Sequence, residues 1–68
     1  LENNNIDKIG EEAHTLKGVA GNLGLNKVYQ YSVELMRLAK KNNLAEIREI
    51  VEKLEEEIEK VISALKNL

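Results

Sequence analysis

The stretch Ala13-His14-Thr15-Leu16-Lys17-Gly18-Val19-Ala20-Gly21-Asn22-Leu23-Gly24-Leu25 decides how the chain is read. It holds the single histidine and three of the four glycines. Ala13, Leu16, Ala20 and Leu23 keep helical spacing, so the segment reads as an amphipathic helix. Gly18 and Gly21 interrupt it, although a glycine inside a helix costs about 1 kcal/mol against alanine. With Leu16 and Ala20 turned to a core, His14 projects away from them. Lys17, Gly18 and Gly21, at i+3, i+4 and i+7, share its face, and Gly10 joins them from i−4. The imidazole is expected to be exposed, bordered by three glycines and one ammonium. The glycines then have a use: they clear space for another protein. A competing use is close helix–helix contact, although their face is not the apolar one.

The pattern extends outward on both sides. Ile6, Ile9, Ala13, Leu16, Ala20 and Leu23 form one stripe, with Asn5 as expected N-cap, Asp7 at the positive helix start and Gly24 as terminator. A second helix opens near Asn26, with Val28, Tyr31, Leu35, Leu38 and Ala39 as its main stripe. Tyr29, Val33 and Met36 make a side row, and Lys40 and Lys41 suit its negative C-terminus. Asn43 reads as the next N-cap, with Glu46 three residues on. Ile47, Val51, Leu54, Ile58, Val61, Leu65 and Leu68 then alternate spacings of four and three, widened by Leu44, Ile50 and Ile62. Glu49–Lys53 and Glu56–Lys60 are spaced to pair across one turn. The expected fold is all-α: three antiparallel helices over about 5–23, 26–42 and 43–67, in one domain covering 1–68.

Composition narrows the function. Sixty-eight residues make a marginal core, and such scaffolds usually need a staple or self-association. Cysteine is absent, which removes disulfides and the usual zinc sites. A net charge of −2 does not suit a phosphate-backbone binder. No run reaches membrane-spanning length, and no signal peptide is visible. No nucleophile triad, metal-ligand set or phosphate loop can be assembled. What remains is His14 itself. A neutral imidazole is a nucleophile near pH 7, its unperturbed pKa being about 6.5. It can take a phosphoryl group offered by another protein, with Lys17 offsetting the incoming charge.

His14-Thr15-Leu16-Lys17-Gly18, followed by Gly21 and Gly24, resembles the signature of histidine phosphotransfer (HPt) domains of bacterial multistep phosphorelays. The resemblance covers nearly the whole chain. It implies a cytoplasmic phosphocarrier rather than a true enzyme. His14 would accept the phosphoryl group from a receiver-domain aspartate and pass it to another receiver. Lys17 would face the phosphate, and Gly18 and Gly21 would permit close approach. By the helix geometry, Tyr29, Val33 and Met36 lie alongside His14 and, with Gly10, would border a receiver docking site; the same row could instead pack on a missing helix or a dimer partner. No cofactor is expected on this chain; Mg²⁺ would come with the receiver.

The resemblance also sharpens two differences. The family is usually a four-helix bundle, and here the helix ahead of the histidine helix is missing. The chain, which opens on Leu1, reads as an excerpt of a longer polypeptide, and a homodimer is expected to complete the bundle. Many members place Glu or Gln on the following helix to orient the histidine. Met36 stands there instead, with Glu34 or Gln30 as substitutes. The alternative functions are the phosphoacceptor domain of a chemotaxis-type histidine kinase, and a structural oligomerisation fragment.

Overall fold

The computed structural model describes residues 3–67, with side chains from Ile6 onward. Three helices follow in order: α1 (Asn3–Leu23), α2 (Asn26–Lys41) and α3 (Leu44–Lys66). The connections are two residues each, which makes neighbours antiparallel. The described residues contain no strand, as the apolar spacing requires.

Both turns are built alike. Gly24 has φ +73°, the left-handed conformation that ends a helix at little cost for glycine. The N–H of Leu25 then donates back to the Ala20 carbonyl at 2.9 Å, while its own carbonyl accepts from Tyr29 in the next helix. Asn42 repeats the left-handed step at φ 56°, donating to Ala39. Asn43 donates its N–H to Leu38 and caps α3 by accepting from the Glu46 N–H at 3.2 Å. Its side-chain amide also donates to the Glu46 carboxylate at 2.8 Å, a reciprocal cap.

The N-terminus differs from the sequence reading. Helix α1 begins by Asn3, so Asn5 lies inside it rather than capping it, and Asp7 falls beyond the first turn. Polar side chains near a helix start do not fix which of three consecutive asparagines begins it. Leu68 lies outside the described residues.

Helix α2 is central. It packs on α1 and on α3, whereas no described Cα of α1 comes within 8 Å of one in α3. The α1–α2 seam is made of small residues: Ala13 and Ala20 are buried against α2, as are Ser32 and Ala39 on the α2 side. Ser32 is fully buried, and its hydroxyl donates to the Val28 carbonyl at 2.7 Å, so it needs no other partner. Its burial was not legible from the apolar stripe. Ile47 and Leu54 of α3 close the core from the other side against Leu35 and Leu38.

The expected α1 stripe is split. Ile6, Ala13 and Ala20 are buried, but Ile9 and Leu16 are half-covered and Leu23 is 67% exposed. Ile9 and Leu16, with Val19, line an open groove of about 720 Å³ between α1 and α3, floored by Leu35 and walled by Leu16, Val51 and Leu54. Ile62 and Leu65, at the far end of α3, are exposed as well. Helix α3 has 23 residues and α2 only 16, so the end of α3 outruns its support.

The surface ion pairs also differ. Neither Glu49–Lys53 nor Glu56–Lys60 forms. Lys60 approaches Glu57 at 3.3 Å, and Lys27 of α2 approaches the same carboxylate at 3.8 Å. Glu57 lies on the flank turned to α2, where two cations reach it together. Such exposed pairs contribute little.

Replacing Asn43 with alanine removes the cap of α3. Urea unfolding is expected to show a loss of about 1 kcal/mol. Asn43→Asp, which retains the acceptor, is expected to stay near the parent.

Candidate functional site

His14 is exposed on α1, on the flank opposite the groove. At about 100° per residue, the buried line Ile6–Ala13–Ala20 runs down the middle of α1. Ile9, Leu16 and Leu23 fall to one side of it; Gly10, His14, Lys17, Gly18 and Gly21 fall to the other. Lys17 is half-buried.

None of the three glycines on this face is required by a steric conflict. A Cβ built on Gly18 would meet nothing within 4 Å. One on Gly21 would touch the Tyr29 ring at 3.6 Å, an ordinary contact. Gly10 is half-buried, and a Cβ there would meet that of Ala39 at 3.5 Å, again without conflict. Close helix–helix contact therefore does not explain Gly18 or Gly21.

Gly10 lies opposite Ala39, which marks the register of α1 against α2. That register places Met36 beside His14, as counting from the turn predicts. Both line a shallow depression of about 480 Å³, together with Gly10, Ala39 and Lys40. Tyr29 stands against Gly21, one end of the same α2 flank. Tyr29 and Val33 are each 41% exposed and Met36 is half-buried, so the side row forms an apolar border to the histidine face. Val33 lies on that border without lining the depression.

Neither suggested substitute faces His14. Glu34 lies about 200° round the helix from Met36, and Gln30 about 120°. Glu34 is moreover engaged by Arg37, whose guanidinium donates at 2.6 and 2.7 Å and holds the carboxyl below its usual range. The thioether of Met36 offers His14 at most a weak acceptor. Lys40 is the lining residue that the sequence reading placed only at a helix end. The spacing Tyr29–Val33–Met36–Lys40, four, three and four, is the signal that continues the row to it.

Among the described residues no group of three or more His, Cys, Asp or Glu side chains gathers as a metal site. No described helix is long and apolar enough to cross a membrane.

The arrangement is that of a helical module presenting one accessible imidazole on a face kept free of side chains, with a cation on the same face. The family model described as Hpt domain matches residues 1–64, and the chain belongs to this family. It is thus a histidine phosphotransfer domain of two-component signalling, a family whose members interact with receiver domains. Comparison with curated proteins and with solved structures finds no match.

Gly18→Ala separates the two roles of that position. With open space around it, the substitution is expected to stabilise the helix by about 1 kcal/mol in thermal unfolding. If the glycine serves an incoming protein, phosphotransfer by the same variant slows; an unchanged rate would assign the position no docking role.

Proposed function

We propose that His14 accepts a phosphoryl group from the aspartyl phosphate of one receiver domain and passes it to the aspartate of another. The observation that carries this reading is the exposed imidazole beside Gly18, whose surroundings are empty although nothing in the fold requires a glycine. A lone pair of neutral His14 attacks phosphorus. The N–P bond forms as the acyl-phosphate O–P bond breaks, and the receiver carboxylate leaves with the bonding electrons. The second ring nitrogen keeps its proton through this step. Lys17 offsets the charge that arrives. The step requires no general base on this chain, and the receiver would supply the Mg²⁺ and acidic residues of the reaction. Tyr29, Val33 and Met36 supply an apolar docking border, with Gly10 at the floor of the depression, and the setting is the cytoplasm.

Incubation with a phosphorylated receiver is expected to give an acid-labile, base-stable label on the chain that disappears in His14→Gln. Val33→Glu is expected to slow labelling about tenfold with its helical circular dichroism intact. A label surviving His14→Gln would reject the assignment. Labelling by a kinase core but by no receiver would instead favour the chemotaxis-type alternative.

We also propose self-association through the α1–α3 groove. The open apolar walls and the exposed Val19, Leu23, Ile62 and Leu65 support it. Glu11 and Glu12 line one side, and Glu52, Glu55 and Glu59 lie along α3. Two copies therefore meet with like charges, and association is expected to strengthen with salt. Light scattering at about 50 and 500 mM salt tests this, ionic strengths at which exposed charges are weakly and strongly screened. A monomer at both, at micromolar concentration, would exclude it.

A further inference from the structure

The depression beside His14 contains a second cation that the family signature does not use. Lys40 is exposed on the last turn of α2 and lines this depression with His14, Met36 and Ala39. We propose that Lys40 is a phosphoryl-binding residue, holding the group on His14 together with Lys17. The proposal rests on the assignment of His14 as phosphoacceptor.

Three observations carry it. The first is register. Gly10 and Ala39 face each other, and the helices are antiparallel, so His14 and Met36 stand at similar heights. Lys40 lies about one turn below them, and Lys17 about one turn above. The second is direction. Side chains on a helix lean toward its N-terminus. On α1 that carries Lys17 down toward His14, and on antiparallel α2 it carries Lys40 up toward the same point. A lysine stem spans about one turn, so both ammoniums can converge on the phosphoryl oxygens. The third is what is absent opposite the imidazole. Met36 offers no donor, and Glu34 is turned away and held by Arg37. Within the depression Lys40 carries the strong hydrogen-bond donor that α2 presents to the phosphoryl group.

Asp7 and Glu11 also line the depression and are the charges that compete for Lys40. No ion pair of Lys40 with either is formed among the described residues. A dianionic phosphoryl group concentrates more charge than one carboxylate and offers more acceptor oxygens, so it wins the ammonium. Lys41 is the internal control. It follows Lys40 by one residue, about 100° round the helix, and does not line the depression.

The test reads the phosphoryl group itself, without a receiver. The chain is phosphorylated with phosphoramidate: the donor P–N bond breaks, the N–P bond to His14 forms, and ammonia leaves. A nearby ammonium favours the dianion over the monoanion, so it lowers the second phosphoryl pKa followed by ³¹P resonance. Lys40→Gln is expected to raise this midpoint by about half a pH unit, the size of one charge at partly solvated range. Lys40→Arg is expected to restore it, and Lys41→Gln to leave it unmoved. A merely structural or docking role for Lys40 would not move the midpoint. An unchanged midpoint in Lys40→Gln, or an equal shift in Lys41→Gln, would overturn the proposal while leaving His14 as acceptor. Failure of the parent chain to label at His14 would overturn both.

Discussion

The close seam between α1 and α2 is the contact on which the rest depends. Ala13, Ala20, Ser32 and Ala39 are buried along it, and Gly10 meets Ala39 there. Small side chains let two helices approach nearer than leucines would, because interaxial distance follows the residues at the contact. This approach fixes both register and rotation. It brings Met36 and Lys40 to the level of His14, and Tyr29 to Gly21. A seam of large residues would hold the second helix farther from the imidazole, and the histidine would have only its own helix for company.

Helix α1 consequently has three longitudinal zones rather than two. The middle zone is committed to α2. One flank carries His14, Lys17 and the glycines, and its emptiness around Gly18 is a property of that flank rather than of the fold. The other flank carries Ile9, Leu16 and Val19 into an open groove, with Leu23 exposed beyond it. Covering this flank concerns the bundle, whereas, in the function we propose, keeping the first one clear serves the phosphoryl group. The two demands fall on opposite sides of one helix, so they do not interfere.

The central position of α2 explains the open side. It serves both neighbours, and its own buried set is drawn from Val28, Leu35 and Leu38 on one hand and Ser32 and Ala39 on the other. Because α1 and α3 each pack on α2, while no described Cα of one comes within 8 Å of the other, the apolar residues between them remain incompletely covered. The broad stripe on α3 is therefore wider than three helices can use.

The sequence by itself determined the three helices, both turns and the exposed placement of the single histidine. Apolar spacing is a local property, and so are the left-handed step at Gly24 and the cap at Asn43. The glycine–histidine–lysine face followed from helical periodicity alone, and so did the height of Met36 opposite His14. The start of α1 was not legible, because adjacent asparagines are locally equivalent as caps. Nor were the ion pairs: Glu57 takes Lys27 from another helix, a meeting that spacing along α3 cannot register. Only the tertiary structure decided that Ser32 is core, that Leu23 is not, and that Lys40 shares the depression of His14. Each of these depends on which side of a helix meets a neighbour and at what register. Those are properties of two packed helices, and neither helix contains them alone.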